Sequence, residues 1–345
     1  MKFRRAQKEL TKVSFTEAEY FLNTVIFAVF FSLISTEFMA GSSLILRYHE
    51  TVDEIKKFIV PIWEVTGTFF VFYVVNVEGL APAIIPDVAS IYIIAILAVI
   101  IIYSFRNASI IFAEFVWKGK RFNERTLYTT YAGITLFLGL ILLIVYGSIV
   151  DGRGVDLANN TFSFYRFLAY LPDIGFMAGT AIIYFGHSFI FYRGTGKNET
   201  IIDVGKKQLQ SSTGIIPVLL TIAGIAINVA SFAFVFSSRL SSIILLPVGI
   251  TVAIPVLGMF RKTGNIVRNK VVYLALMSIA VAGIERAILP YLFDFKLNVT
   301  TYFANQAMQN AMFIFTIIGG ITVLAFLSYY FKIYFSGSRG PAEVS

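Results

Sequence analysis

The chain has 345 residues, of which 57% are hydrophobic and only 14% charged, and its mean hydropathy is +0.77. Soluble domains carry about 25% charged residues, so a water-facing globule of this length is excluded and lipid must be the solvent. The net charge of +8 fits a membrane protein with basic cytoplasmic loops, so nucleic acid need not be invoked, and the lack of cysteine removes disulfides, thiol catalysis and thiolate-bound metals.

A helix needs about 20 apolar residues to cross the hydrocarbon core. Residues 1–20 are mixed in charge and lack the apolar run and cleavage site of a signal peptide, so they read as an interfacial amino-terminal arm. The first span is expected from Phe21 to about Arg47 and the second from about Phe58 to Val77, with the polar loop Glu50–Lys57 between them. The third begins near Ala83 and is apolar to Ser104. Its helical pattern continues through Arg106 and Glu114 to Lys118, where Glu114 and Lys118 share a face. Tyr128–Val150 is the fourth, closed by Asp151-Gly152-Arg153-Gly154. Leu171–Tyr192, Gly214–Phe236, a short Leu240–Phe260 containing Pro247 and Pro255, Val271–Leu292 and Ala307–Phe335 complete the series. The expected fold is an all-α polytopic membrane protein of about nine helices. It has one transmembrane domain, residues 21–335, and a solvated tail, 336–345.

Orientation follows the Lys/Arg asymmetry. The side opposite the amino terminus holds Lys118, Lys120, Arg121, Arg125, Arg261, Lys262, Arg268 and Lys270. The positive-inside rule therefore puts the amino terminus outside and the carboxyl terminus in the cytoplasm of a multi-pass cell-membrane protein, although the basic amino arm argues the other way.

Each ionisable residue inside a span is a functional-site hypothesis. Glu37 lies deep in the first span and Glu64 about one turn into the second; a pair of proton-relay carboxyls and a pair of hydrogen-bonded interhelical carboxyls are both open readings. Glu78 and Asp87 flank the Gly79–Pro86 turn near an interface, and Asp173, after Pro172, can cap a helix start. Glu285 and Arg286 are adjacent, so they point about 100° apart and need not pair. His187 reads as an interhelical hydrogen-bonding residue. The only other histidine is His49, so the chain lacks the ligands for two bis-His haems and is expected to bind no haem itself. It has no phosphate loop, nucleophile elbow or metal-ligand cluster. Aromatic residues make up 16% of the chain, and some of them can line a crevice for a quinone or a lipid tail.

The order of these residues resembles subunit II of the cytochrome bd-type quinol oxidases. Thr36-Glu37-Phe38-Met39-Ala40-Gly41 is similar to that family's Thr-Asp-Gly-Phe-Asp-Leu-Gly, and Pro61-Ile62-Trp63-Glu64 to its Pro-Val-Trp-Asp. Arg106-Asn107-Ala108-Ser109-Ile110-Ile111-Phe112 resembles its Arg-Gly-x-Ser-x-x-Phe. His187 with Phe191–Gly196, and Asn298–Ala304 before the last span, follow in the family's order. Glu stands for Asp at Glu37 and Glu64, and Met39 replaces a second acidic residue, which implies a remote branch, an archaeal one among the options.

The resemblance implies two four-helix bundles plus a peripheral helix, and no metal or catalytic residue in this chain. It further implies a larger partner, subunit I, that carries haems b and d, oxidises quinol from the membrane pool and reduces dioxygen to water. Subunit II would stabilise that partner and help deliver protons. By position Glu64 would be a relay carboxyl with Trp63 fixing its surroundings, Glu37 a second carboxyl, and Arg106 and His187 interhelical polar partners. The competing readings are a proton-coupled secondary transporter and a structural anchor for another quinone-linked b-type cytochrome.

Overall fold

The computed structural model describes residues 2–116, 121–193, 202–204, 207–209, 215–235, 245–260, 269–289, 291–293 and 296–335; the expected tail, Lys118 and the Lys/Arg cluster at 261–268 lie outside them. A helix stands at each of the nine expected spans. They are α1 (Lys2–Leu46), α2 (Tyr48–Leu80), the pair α3 (Ile84–Ile91) and α4 (Ile93–Ile111), α5 (Arg121–Asp151), then, after the single-turn α6 (Phe164–Leu168), α7 (Leu171–Phe191), α8 (Ile215–Val235), α9 (Leu245–Met259), α10 (Lys270–Ile288) and α11 (Gln306–Phe335). Among the described residues five helices are long and apolar enough to cross a membrane, and six if the bent α2 counts as one span. Three two-stranded hairpins occupy connections: Val155–Asp156 with Thr161–Phe162, Ile202–Val204 with Lys207–Leu209, and Tyr291–Leu292 with Leu297–Asn298.

The helices fall into two groups. α1, α2, α4 and α5 pack together, as do α7, α8, α9 and α10, and α1 joins the groups by touching α7 and α10 as well. α11 lies outside, against α1 and α2. Of the five long apolar helices, α1 is accordingly the most enclosed within the chain and α11 the most exposed.

Three boundaries differ from the sequence reading. α1 runs unbroken through residue 20, and Glu19 is fully buried, its Oε1 accepting from Thr316 of α11 at 2.9 Å, so this part of the arm is held inside the bundle. The stretch Glu50–Lys57 is helix, not loop. Ile55 within it and Phe58 and Ile59 just after it recur at helical spacing and are buried, which outweighs its polarity. α2 then bends by 48° at Pro61, where the ring removes one backbone donor and clashes with the preceding turn. The third span is delivered in two pieces that meet at Tyr92, whose buried hydroxyl lies 2.7 Å from Ser148 Oγ of α5. α4 passes directly into a π-turn, Phe112–Val116.

The ends of the bundle are tied by polar contacts. At one end the C-terminal carbonyls of α7 are capped by cations. Arg47 Nη2 donates to Ser188 and Tyr192 at 3.1 and 2.8 Å, and Lys270 Nζ donates to Phe191 at 2.6 Å and to Glu54 at 2.8 Å. At the other end the Phe293 N–H donates to Ile149 at 2.6 Å, and Gly152 sits at φ +73° where an added methyl would stand 3.0 Å from the Phe293 backbone, so the position needs the bare Cα.

α7 and α8 make the closest approach, backbone to backbone. A methyl added at Gly224 would stand 2.6 Å from the Gly179 carbonyl oxygen and 2.9 Å from the Ile183 nitrogen, whereas one at Gly249 of α9 meets nothing within 4 Å. Gly224→Ala is therefore expected to lower the thermal midpoint, at a cost of about 1–3 kcal/mol for overpacking, while Gly249→Ala leaves it level or higher. Equal midpoints in the two variants, read by thermal unfolding, would contradict this packing.

Candidate functional site

The site is built around a buried ion pair. Glu37 sits in the last third of α1 and Arg106 in the last turns of α4, both in apolar runs where an isolated charge is unstable. Arg106 is 2% exposed and Glu37 6%. Arg106 Nη2 donates to Glu37 Oε2 and, at 2.8 Å, to the Tyr131 hydroxyl. Its Nε donates to Thr135 at 3.0 Å and its Nη1 to Asn107 at 3.0 Å. The guanidinium carbon lies 4.7 Å from the Tyr131 ring centre and 5.1 Å from that of Tyr103, a cation–π arrangement on two rings. The Thr66 hydroxyl of α2 lies against Glu37 but donates to the Ile62 carbonyl at 2.7 Å, and Glu37 Oε1 is buried without a hydrogen-bond partner. One carboxylate oxygen is thus fixed by charge and the other remains an open acceptor. The node ties α1, α2, α4 and α5 together.

Glu64 does not join this node. It stands two residues before Thr66, about 200° away round the helix, so the face that brings Thr66 to Glu37 turns Glu64 to the outside of the chain. The Glu64 side chain is exposed, on a stripe with Thr68, Val71 and Val75, all exposed at helical spacing. Beside it, Trp63 Nε1 donates to the Tyr103 hydroxyl at 3.0 Å, which fixes α2 against α4. Tyr103 also faces Arg106, so Trp63, Tyr103 and Arg106 form a line of contacts from the exposed carboxyl to the buried one.

His187 is fully buried in the other group of helices. Its Nε2 lies 3.2 Å from the Thr251 carbonyl, which can only accept, so Nε2 carries the proton and Nδ1 accepts from the Tyr273 hydroxyl at 2.9 Å. Both ring nitrogens are committed, joining α7 to α9 and α10. The Tyr273 hydroxyl is also 3.4 Å from Met39 Sδ, which brings α1 to the same point. His49 is exposed in the first turn of α2 and makes neither of these contacts.

The remaining charges were read with mixed success. Glu78 and Asp87 are exposed on either side of the turn between α2 and α3. Asp173 does not cap α7: it is 3% exposed and its carboxyl meets that of Asp151, which lies 3.8 Å from Arg153 Nε. Arg286 is exposed, and Glu285 is buried with the Tyr146 hydroxyl donating to it at 3.1 Å, so the adjacent pair is indeed unpaired. The sequence reading missed the buried Glu19, placed in the interfacial arm, and the specific partnership of Glu37 with Arg106. Opposite charges in the first and third spans were the available signal for that pair.

Two groups of membrane helices, joined through one central helix and holding a buried ion pair, define the chain as a helical integral membrane protein. Residues 16–334 match the family described as cytochrome bd terminal oxidase subunit II, and the chain belongs to that family. A solved bd oxidase structure from Geobacillus thermodenitrificans superposes on it with a TM-score of 0.66 at 17% identity, covering 94% of this chain and 100% of the other, a likeness of fold. No curated protein matches the sequence. The family is the second subunit of a quinol-oxidising respiratory complex, so the chain is a component of an oxidoreductase assembly with a subunit I partner, the subunit in which that family's haems sit.

Proposed function

We propose that this chain is the haem-free subunit of a cytochrome bd-type quinol:oxygen oxidoreductase in the cell membrane, where it stabilises the haem subunit and helps deliver protons for the reduction of dioxygen to water. The observation that carries the reading is the family match over residues 16–334, beside which Glu64 stands as an exposed carboxyl one turn past Pro61, on the stripe with Thr68, Val71 and Val75. The exposed stripe of this helix is a surface that a protein partner can cover, and a carboxyl enclosed at a subunit boundary is placed to exchange protons across it. In this reading Glu64 takes up and passes on the proton, with Trp63 and Tyr103 holding its helix in register. Glu37 is a second carboxyl whose orientation Arg106 sets, and His187 is a structural link. The basic ends near Arg47, Lys56 and Lys270 face the cytoplasm, from which the protons come, and the quinone pool and membrane lipid are the other partners.

The native chain has no cysteine, so single-cysteine variants test the docking face directly. Val71→Cys, on the Glu64 stripe, is expected to cross-link to the haem subunit in the native membrane. Ile222→Cys is expected not to, because α8 packs chiefly on α7 and α9. Cross-linking of Ile222→Cys and not of Val71→Cys would remove the Glu64 face from the interface.

A further inference from the structure

At the end of the molecule that carries Gly152 and Phe293, α1, α2, α3, α5 and α10, with Ile96 of α4, line an open-mouthed cavity of about 360 Å³ that takes no part in the Glu37–Arg106 site. A single water needs about 10–15 Å³ on this measure, so the space is suited to a larger molecule. One end is polar. Glu285 reaches into it with only 8% exposure, and the Tyr146 hydroxyl donates to its Oε2 at 3.1 Å. Asn23, 6% exposed, is anchored through its Nδ2 to the Glu19 carbonyl and carboxyl at 3.1 Å, which leaves its Oδ1 buried without a partner; the Tyr20 hydroxyl is likewise buried and unpartnered. Aromatic rings close the same end: Phe27 lies 5.2 Å from Tyr73 and 6.1 Å from Tyr146. The rest of the wall is apolar, formed among others by Val77, Leu80, Ile84, Val88, Ile96 and Leu289.

The charge pattern selects the occupant. None of the described residues lining the cavity is Lys, Arg or His. The nearest cation, Arg286, is exposed and packs its guanidinium 5.4 Å from the Tyr20 ring centre. A carboxyl removed from water stays ionised only beside a counter-charge, ring faces attract cations, and the amide oxygen of Asn23 offers a further acceptor. An anionic head would meet a carboxyl with no compensating base. The geometry points to a binding site for one membrane lipid with an ammonium head, the cation held between Glu285, Asn23 Oδ1 and the aromatic faces, and the chain running along the Val77–Ile96 wall. This site is independent of the proton-delivery reading, because it lies in a different cavity and uses none of its residues.

The test uses the purified, delipidated complex with two probes of equal chain length, dodecylammonium and dodecanol, read by thermal unfolding. Dodecylammonium is expected to raise the midpoint by several degrees and dodecanol by much less. Glu285→Gln is expected to erase the difference between the probes, and Val88→Trp, which fills the tail wall without touching the head end, to erase stabilisation by both. Mass spectrometry of lipids carried through gel filtration is expected to find an amine lipid in the native complex and to lose it in both variants. Equal stabilisation by the two probes, a short-chain quinol that stabilises as well as dodecylammonium, or an undiminished ammonium effect in Val88→Trp would each overturn the assignment. The last readout holds even if Glu285→Gln fails to assemble.

Discussion

Glu37→Gln is expected to destabilise the protein by about 3–5 kcal/mol, the cost of leaving one member of a buried ion pair without its partner. The amide keeps the shape of the carboxylate, so packing is unchanged and the loss is electrostatic. Arg106 would be left 2% exposed with only neutral acceptors: Tyr131, Thr135 and Asn107. A guanidinium cannot shed its charge. A carboxyl can, by taking up a proton, and this makes the reverse variant informative. Arg106→Gln is expected to cost less than Glu37→Gln, and the double variant less than the sum of the two singles, because removing both charges removes the unpaired desolvation. Thermal unfolding of the purified complex measures all three. Additive costs would show that the two side chains do not act as a pair.

Glu64→Gln is expected to do the opposite: to leave the thermal midpoint near that of the native complex while slowing oxygen consumption at saturating quinol by at least about tenfold, within the range over which a positioned acid–base group acts. The residue is exposed, and the Arg106 node pairs that guanidinium with Glu37, so loss of the Glu64 charge leaves that pair as it was. The isosteric amide cannot carry a proton. Glu64→Asp, which keeps the carboxyl on a shorter stem, is expected to recover part of the rate. Unchanged oxygen consumption in Glu64→Gln would remove this residue from the mechanism. The separation between the variants, one losing stability and the other turnover, distinguishes a structural carboxyl from a proton-exchanging one.

The helices were legible because hydropathy is a local property: the apolar runs became helices, the third in two pieces, and the two-group arrangement follows the family resemblance. What hydropathy could not reveal was helix rotation. Whether Glu64 points toward Glu37 or away from it depends on which face of α2 meets α1, and that is decided by Ile62, Val65 and Thr66 packing inward. Periodicity within 50–59 held the same kind of information, since Ile55, Phe58 and Ile59 share a face, but a run of charges masked it. Glu19 was hidden for a related reason. Its partners Asn23 and Thr316 are, respectively, one turn and almost the whole chain away, and only the docking of α11 against α1 makes the position interior. The reading of His187 as an interhelical link needed no tertiary knowledge beyond its place in an apolar span, whereas its partners Thr251 and Tyr273 come from helices far along the chain.

The central claim, that this chain is the haem-free half of an oxidase complex, is tested most directly by a reduced-minus-oxidised optical spectrum of the material purified through a tag on this chain. The account predicts haem bands that migrate with a larger partner, disappear from the chain when that partner is dissociated, and are diminished in membranes from cells lacking this chain. A stable, colourless protein that purifies without any cytochrome partner would contradict it.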